Sequence, residues 1–227
     1  MMKFYTAIGQ YKVVADGSGK RYPVVIRDGK ECCLSIEEMI IWASSLWKIH
    51  TYDELEKVYY QKEQEAHILG EADFDAYLSR LESRGLIVSG RDITDEGALY
   101  DLLFKLHVVP LKVTFSSKVA AFIHMSVARR MPFSVTKKIF YKMPYSDDEK
   151  RVLNLSSHYP LSTTELIACF DNGVFEISTE RQLIGALYGS STPAETDLKA
   201  KSYVSDNRRI VMEAVANLYL KQAVLLQ

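Results

Sequence analysis

The run Phe74-Asp75-Ala76-Tyr77-Leu78-Ser79-Arg80-Leu81-Glu82-Ser83-Arg84-Gly85-Leu86-Ile87-Val88 contains a helix, its stop and the start of a strand. Phe74, Tyr77, Leu78 and Leu81 recur at the spacing of one helical face. Gly85 is the residue type that ends such a helix, and the short apolar stretch Leu86-Ile87-Val88 reads as a strand. Ser89-Gly90-Arg91-Asp92 then predicts a turn, with Ile93-Thr94 as a short return. Thr94 or Asp95 caps a further helix through Leu99, Leu102, Leu103 and Leu106.

On the N-terminal side, a helix is expected from about Asp53, with Leu55, Val58 and Tyr59 inward. Before it, Ser35 with Glu38 three residues on forms a capping box, and Met39, Ile40, Ala43 and Leu46 supply that helix's apolar face. Upstream, Tyr11-Lys12-Val13-Val14, Tyr22-Pro23-Val24-Val25-Ile26 and Glu31-Cys32-Cys33-Leu34 are separated by Asp16-Gly17-Ser18-Gly19 and Asp28-Gly29. That pattern predicts a small antiparallel sheet with two tight hairpins. Strands, three helices and a terminal hairpin in this order make a winged helix-turn-helix.

On the C-terminal side, Pro110 marks a boundary, followed by two short amphipathic helices at about 117–130 and 134–142. After Pro144 the pattern begins again. Setting Leu34–Leu55 against Tyr145–Leu166 without a gap aligns Ser35 with Ser146, Glu38 with Glu149, Ser45 with Ser156, Glu54 with Glu165 and Leu55 with Leu166. A helix near Thr179 to Tyr188 continues this second module. A last element from about Asp206 to Leu226 carries Ile210, Val211, Ala214, Val215, Leu218 and Leu220. The expectation is an α+β, mostly helical chain of tandem winged-helix-like modules with a small N-terminal antiparallel sheet. The modules span residues 1–108 and 145–227, the latter with a long terminal helix, and a basic helical connector covers 109–144.

With 227 residues, 48% hydrophobic and 25% charged, the chain has an ordinary globular composition. Met1 to Thr6 lacks the apolar core of a signal peptide, and the best apolar stretch, Val119 to Ala128, is too short for a bilayer and holds His124. No membrane association and a cytoplasmic location are therefore expected. Cys32, Cys33 and Cys169 cannot complete a disulfide framework and read as free thiols. Gly17-Ser18-Gly19-Lys20 is followed by Arg21 and lacks phosphate-loop spacing, so it is a hairpin turn. The five histidines show no metal-ligand spacing, and neither a serine elbow nor an acid-base pair of carboxylates stands out. No catalytic residue, metal or cofactor is expected.

The stretch Val24 to Val88 resembles the PqqD-like recognition elements, which bind leader peptides in ribosomally made peptide natural product pathways. The resemblance is carried by the hairpin strands ending in Leu34-Ser35, the helix through Met39 and Leu46, Thr51-Tyr52-Asp53-Glu54-Leu55, and Tyr77 to Ile87. The last block also resembles the third helix and first wing strand of bacterial winged-helix regulators. Ile93-Thr94-Asp95-Glu96-Gly97 is similar to the turn after their wing. The first resemblance implies that a peptide adds a strand at Glu31, Cys32, Cys33 and Leu34 and lies against Phe74, Tyr77, Arg80 and Arg84. Otherwise the chain's own second half covers that edge.

Charge points elsewhere. Residues 1–106 hold 13 Lys+Arg against 18 Asp+Glu, whereas 107–227 hold 15 against 11. Lys112, Lys118, Arg129, Arg130, Lys137, Lys138 and Lys142 form a run of cations without an intervening Asp or Glu. Such a run can neutralise phosphates and make binding salt-dependent. Arg181 and Gln182 are the candidate base-reading side chains of the second module. The leading expectation from sequence is a DNA-binding regulator, with peptide or protein recognition as the alternative and a homo-oligomer through the C-terminal helix as a third reading.

Overall fold

The structure, a computed structural model, describes residues 1–67, 73–111, 144–188 and 195–227. The first half runs β1 (Met2–Ala7), β2 (Gln10–Ala15), β3 (Arg21–Arg27), β4 (Lys30–Cys32), α1 (Ile36–Ser45), β5 (His50–Thr51), α2 (Tyr52–Ala66), α3 (Phe74–Ser83) and β6 (Ile87–Asp92). After α4 (Asp95–Leu103), the rest is β7 (His107–Pro110), α5 (Asp147–Ser156), β8 (Leu161–Ser162), α6 (Thr163–Asp171), α7 (Glu180–Tyr188), α8 (Glu195–Val204), α9 (Arg208–Leu220) and β9 (Val224–Leu226). The chain is thus α+β, with helices around three small antiparallel sheets ordered β5-β1-β6, β2-β3-β4 and β8-β7-β9. Among the described residues no helix is long and apolar enough to cross a membrane.

The hairpin expected after α3 is absent. Instead β6 runs unbroken and pairs antiparallel with β1 from Met2↔Asp92 to Ala7↔Ile87. Gly90 is there for a close approach, not a turn: a Cβ on it would lie 2.1 Å from the Leu102 backbone nitrogen of α4. Ile93, expected on a returning strand, is exposed at the mouth of α4. The strand not foreseen, β1, is the central one. Its Tyr5 and Ala7 join the core formed by α1, α2 and α3. Phe4 and the following Ile8 pack instead with α4 and the second half.

Capping boxes fix the helix starts. Ser35 and Glu38 cap α1, Thr51 and Glu54 cap α2, Ser146 and Glu149 cap α5, and Ser162 and Glu165 cap α6. The expected inward face of α1 is corrected. Its buried residues are Glu38, Ile41, Trp42 and Ser45, while Met39 and Ile40 are half-buried and Ala43 is exposed. The terminal helix is also shorter than expected. It stops at Leu220, Gln222 takes a left-handed φ of 57°, and Val224–Leu226 becomes a strand.

The halves match down to their hydrogen-bond register. Tyr5 lies between His50 and Ser89, and Val108 lies between Leu161 and Leu226. Ile8 N donates to Leu86 O just as Leu111 N donates to Ala223 O. After α3, Gly85 at φ 63° allows Leu86 N to close on Leu81 O; after α9, Gln222 allows Ala223 N to close on Leu218 O. Helix α9 therefore occupies in the second half the place of α3 in the first.

The match extends to an ion pair. Arg84 beyond α3 reaches Glu38 on α1 at 3.2 Å, and Lys221 beyond α9 reaches both oxygens of Glu149 on α5 at 2.7 Å. Each pair ties the C-terminal end of one helix to the capping carboxylate of another.

Candidate recognition surface

Among the described residues of the first half, an open groove of about 470 Å³ lies beside α1. Leu34, Ile36, Met39, Ile40 and Ala43 line it from the α1 side, Val58 from α2, and Pro23 from β3. Ser35, Ser44, Lys48 and Lys62 complete it. Ile36, Met39, Ile40 and Ala43 form a stripe at helical spacing, and Ile36 is 63% exposed. The buried stripe of the same helix contains the polar residues Glu38 and Ser45. Helix α1 thus places two polar side chains inside while its apolar stripe runs from exposed Ile36 to Met39 and Ile40, half-buried at the edge of the core.

Those buried polar groups have partners. Glu38 accepts from the Ser35 backbone and from Arg84, and Ser45 Oγ donates to Ile41 O. Arg84 also donates to Cys33 O at 2.7 Å, while Arg27 donates to the Arg84 carbonyl at 3.0 Å. The end of the β3-β4 hairpin is in this way clamped to the end of α3.

The residues expected to hold a peptide at the β4 edge separate into several roles. Glu31 and Cys33 are exposed and Cys32 is half-buried, Leu34 belongs to the groove, and Arg84 is spent on the clamp. Phe74 and Tyr77 are core residues, with Phe74 packed against Tyr52 and Tyr59 at ring distances of 5.5 and 5.4 Å. Arg80 is exposed and lies over the Tyr77 ring. Among the described residues, β4 pairs with β3 and not with any strand of the second half.

Of the residues expected to meet nucleic acid, Lys112, Lys118, Arg129, Arg130, Lys137, Lys138 and Lys142 lie outside the described residues. Arg181 and Gln182 sit exposed on α7, which is not the counterpart of α3. The Gln182 side chain turns back to accept from Ser178 N at 3.0 Å, closing its own turn. On α9, Val211, Met212, Ala214, Val215, Leu218 and Tyr219 are buried within the chain, leaving Ile210 and Leu220 as its exposed large apolar residues.

The described residues contain no group of three metal-ligating side chains. Of the cysteines, Cys169 is buried, and desolvation pushes its thiol up to about 12, which suppresses the reactive thiolate. Tyr52 donates to Asp75 at 2.7 Å, and that bond, with burial, holds its phenol above the ordinary value.

The sequence spacing predicts Met39, Ile40, Ala43 and Leu46 as the inward face of α1 and Val58 as inward on α2; Met39, Ile40 and Leu46 do pack partly buried against the core, while Ala43 is exposed and Val58 half-buried. The missed signal was a second stripe at the same spacing, Glu38, Ile41, Trp42 and Ser45, whose Trp42 is far too large to leave in water. Compared with protein-family models, curated proteins and solved structures, the chain matches none.

Proposed function

We propose that this chain is a non-catalytic recognition protein made of two winged-helix-like units, and that its first unit holds a polypeptide partner in the groove beside α1. Each half has helix, short strand, helix and then a later helix and strand that close its sheet (α3 and β6, α9 and β9), with the third strand supplied by β1 or β7, which supports the winged-helix reading; α7 and α8 are additions of the second half. The observation that carries the function is the apolar stripe lining the groove, Ile36 and Ala43 exposed and Met39 and Ile40 half-buried, on a helix that buries Glu38 and Ser45. Leaving apolar area in water costs about 25 cal/mol per Å² relative to burying it, and a partner recovers that free energy.

The test is a photo-crosslinking amino acid at position 39 in the native host. A polypeptide adduct that disappears when Ile36 is changed to Asp supports the reading. Crosslinks to nucleic acid alone, or none to protein, reject it.

A second reading, a DNA-binding regulator in the cytoplasm, is favoured by the seven cations between Lys112 and Lys142. It requires duplex DNA binding at low salt that weakens steeply as salt rises. Lys137→Glu with Lys138→Glu is expected to abolish that binding in an electrophoretic shift assay; unchanged affinity removes both residues from the interface.

A further inference from the structure

Because α1, α2, α3 and β6 of the first half have counterparts in α5, α6, α9 and β9 of the second, these shared helices can be compared position by position. On α1 the outward stripe is Ile36, Met39, Ile40 and Ala43. Counting from the shared capping serine, the same positions on α5 are Asp147, Lys150, Arg151 and Asn154. There Lys150 pairs with Asp147 at 2.8 Å and Arg151 with Asp148 at 3.0 Å. The second half carries charge at these helix positions, so the helix itself does not demand an apolar residue at exposed Ile36, while Met39 and Ile40 are half-buried and also pack at the edge of the core.

Charge around the groove describes its occupant. Lys48 and Lys62 line it and no carboxylate does. Lys62 meets Glu65 one turn along α2, at 2.9 Å, while Lys48 has no carboxylate within ion-pair distance among the described residues. The nearest acids of α1 are engaged or turned away: Glu38 is buried against Arg84, and Glu37 does not line the groove.

We infer that the groove takes an amphipathic, acidic segment of another polypeptide, with apolar anchors over Ile36, Met39 and Val58 and carboxylates facing Lys48 and Lys62. This rests on the first half being a recognition unit. A helix laid into an apolar groove gains affinity from a few anchor side chains and selectivity from charges at the rim. The site lies on the opposite side of α1 from Glu38 and is distinct from the α3 face, and it meets the β3-β4 hairpin at Pro23 and at Leu34 just beyond β4.

The experiment uses the full chain and fluorescein-labelled synthetic helical peptides in anisotropy titrations: one of Leu and Glu, a matched one of Leu and Lys, and a scrambled Leu/Glu control. The Leu/Glu peptide is expected to bind about tenfold more tightly than the Leu/Lys peptide at low salt. Lys48→Glu with Lys62→Glu is expected to reverse that order. Ile36→Asp with Ile40→Arg, which installs the residues of the second half, is expected to weaken the Leu/Glu peptide by at least about tenfold. Ile36→Asp alone, at an exposed position, is the check should the double variant fold poorly.

Equal affinity for the two charged peptides, or for the scrambled one, overturns the acidic partner while leaving the recognition reading in place. Leu/Glu binding that survives Ile36→Asp moves the site away from the groove and overturns the inference. So does a dimer in sedimentation that Ile36→Asp dissociates, because the occupant is then a second copy. Loss of every position-39 crosslink to protein defeats the underlying reading itself.

Discussion

Removing the hydroxyl of Tyr219 tests how the halves are joined. Its ring is buried on α9, and its oxygen receives the Trp47 backbone N–H at 2.8 Å. The phenol donates to Ala7 O at 3.0 Å and accepts from Thr6 Oγ1 at 2.9 Å. The one hydroxyl proton of Thr6 has Lys48 O, at 2.7 Å, as its other acceptor. One oxygen from the second half thus satisfies β1 and the turn after α1, where Trp47 holds a left-handed φ of 56°. Tyr219→Phe keeps the ring and strands the Trp47 N–H. A buried group left without its partner costs about 1–3 kcal/mol. Taking about 2 kcal/mol, and about 2–4 °C per kcal/mol for a domain of this size, the melting temperature should fall by about 4–8 °C.

Two further readouts separate this network from general damage. Thr6→Val combined with Tyr219→Phe should show a coupling of about 1 kcal/mol in a double-mutant cycle. Burial also raises the Tyr219 phenol above its ordinary value of 10.0. The folded state therefore retains that proton longer than the unfolded state does. Its contribution is complete below 10.0 and is lost as pH rises toward the folded value, so Tyr219→Phe should flatten the alkaline loss of stability. A melting temperature within about 1 °C of wild type, with additive behaviour toward Thr6→Val, would refute the account.

Lys221→Met leaves Glu149, only 3% exposed, without its cation and should cost about 3–5 kcal/mol by urea titration; Arg84→Met should cost less because Arg84 is one-third exposed. Gly90→Ala drives a Cβ into the α4 backbone, which cannot yield as a flexible side chain would, so a loss of more than about 3 kcal/mol or failure to accumulate folded protein is expected. At neutral pH an aromatic disulfide reagent should titrate Cys33 rapidly and Cys32 more slowly, and reach Cys169 after denaturation; fast modification of all three in the native state contradicts the burial of Cys169.

Much of the helical framework could be read from residues alone. The capping serine and glutamate pairs, the Phe74–Leu81 face and the Gly85 stop have local causes, and the structure places helix boundaries at them. The β1 strand was hidden for a physical reason. Both of its faces are buried, one in each core, so Met2–Ala7 lacks the alternation that marks a half-exposed strand. Gly90 misled in the opposite direction, since a glycine beside serine and aspartate reads as a turn when its neighbours across the sheet are unknown. The phase of α1 is ambiguous in the sequence because Ile40, Ile41 and Trp42 are consecutive, and its most buried stripe proves to be Ile41 and Trp42 with Glu38 and Ser45. Hydrophobicity then cannot choose a face, and only the partners of Glu38 and Ser45 decide it.

That ambiguity leads to the groove. Comparing the halves separates what the fold requires from what it permits. The capping serine and glutamate, the cation that binds that glutamate, and the left-handed residue after the third helix recur in both, at places where each satisfies an otherwise unpaired polar group. The outward face of α1 and of α5 recurs in geometry but not in chemistry: apolar in one copy, ion-paired in the other. Stability accounts for the first set, because replacing any member strands a buried partner. It does not account for Ile36, 63% exposed where an aspartate stands on α5, or for the uncovered parts of half-buried Met39 and Ile40 where lysine and arginine stand. The free energy forgone at that stripe is recovered only when something apolar covers it, which favours this groove over α3 or α9 as the docking surface.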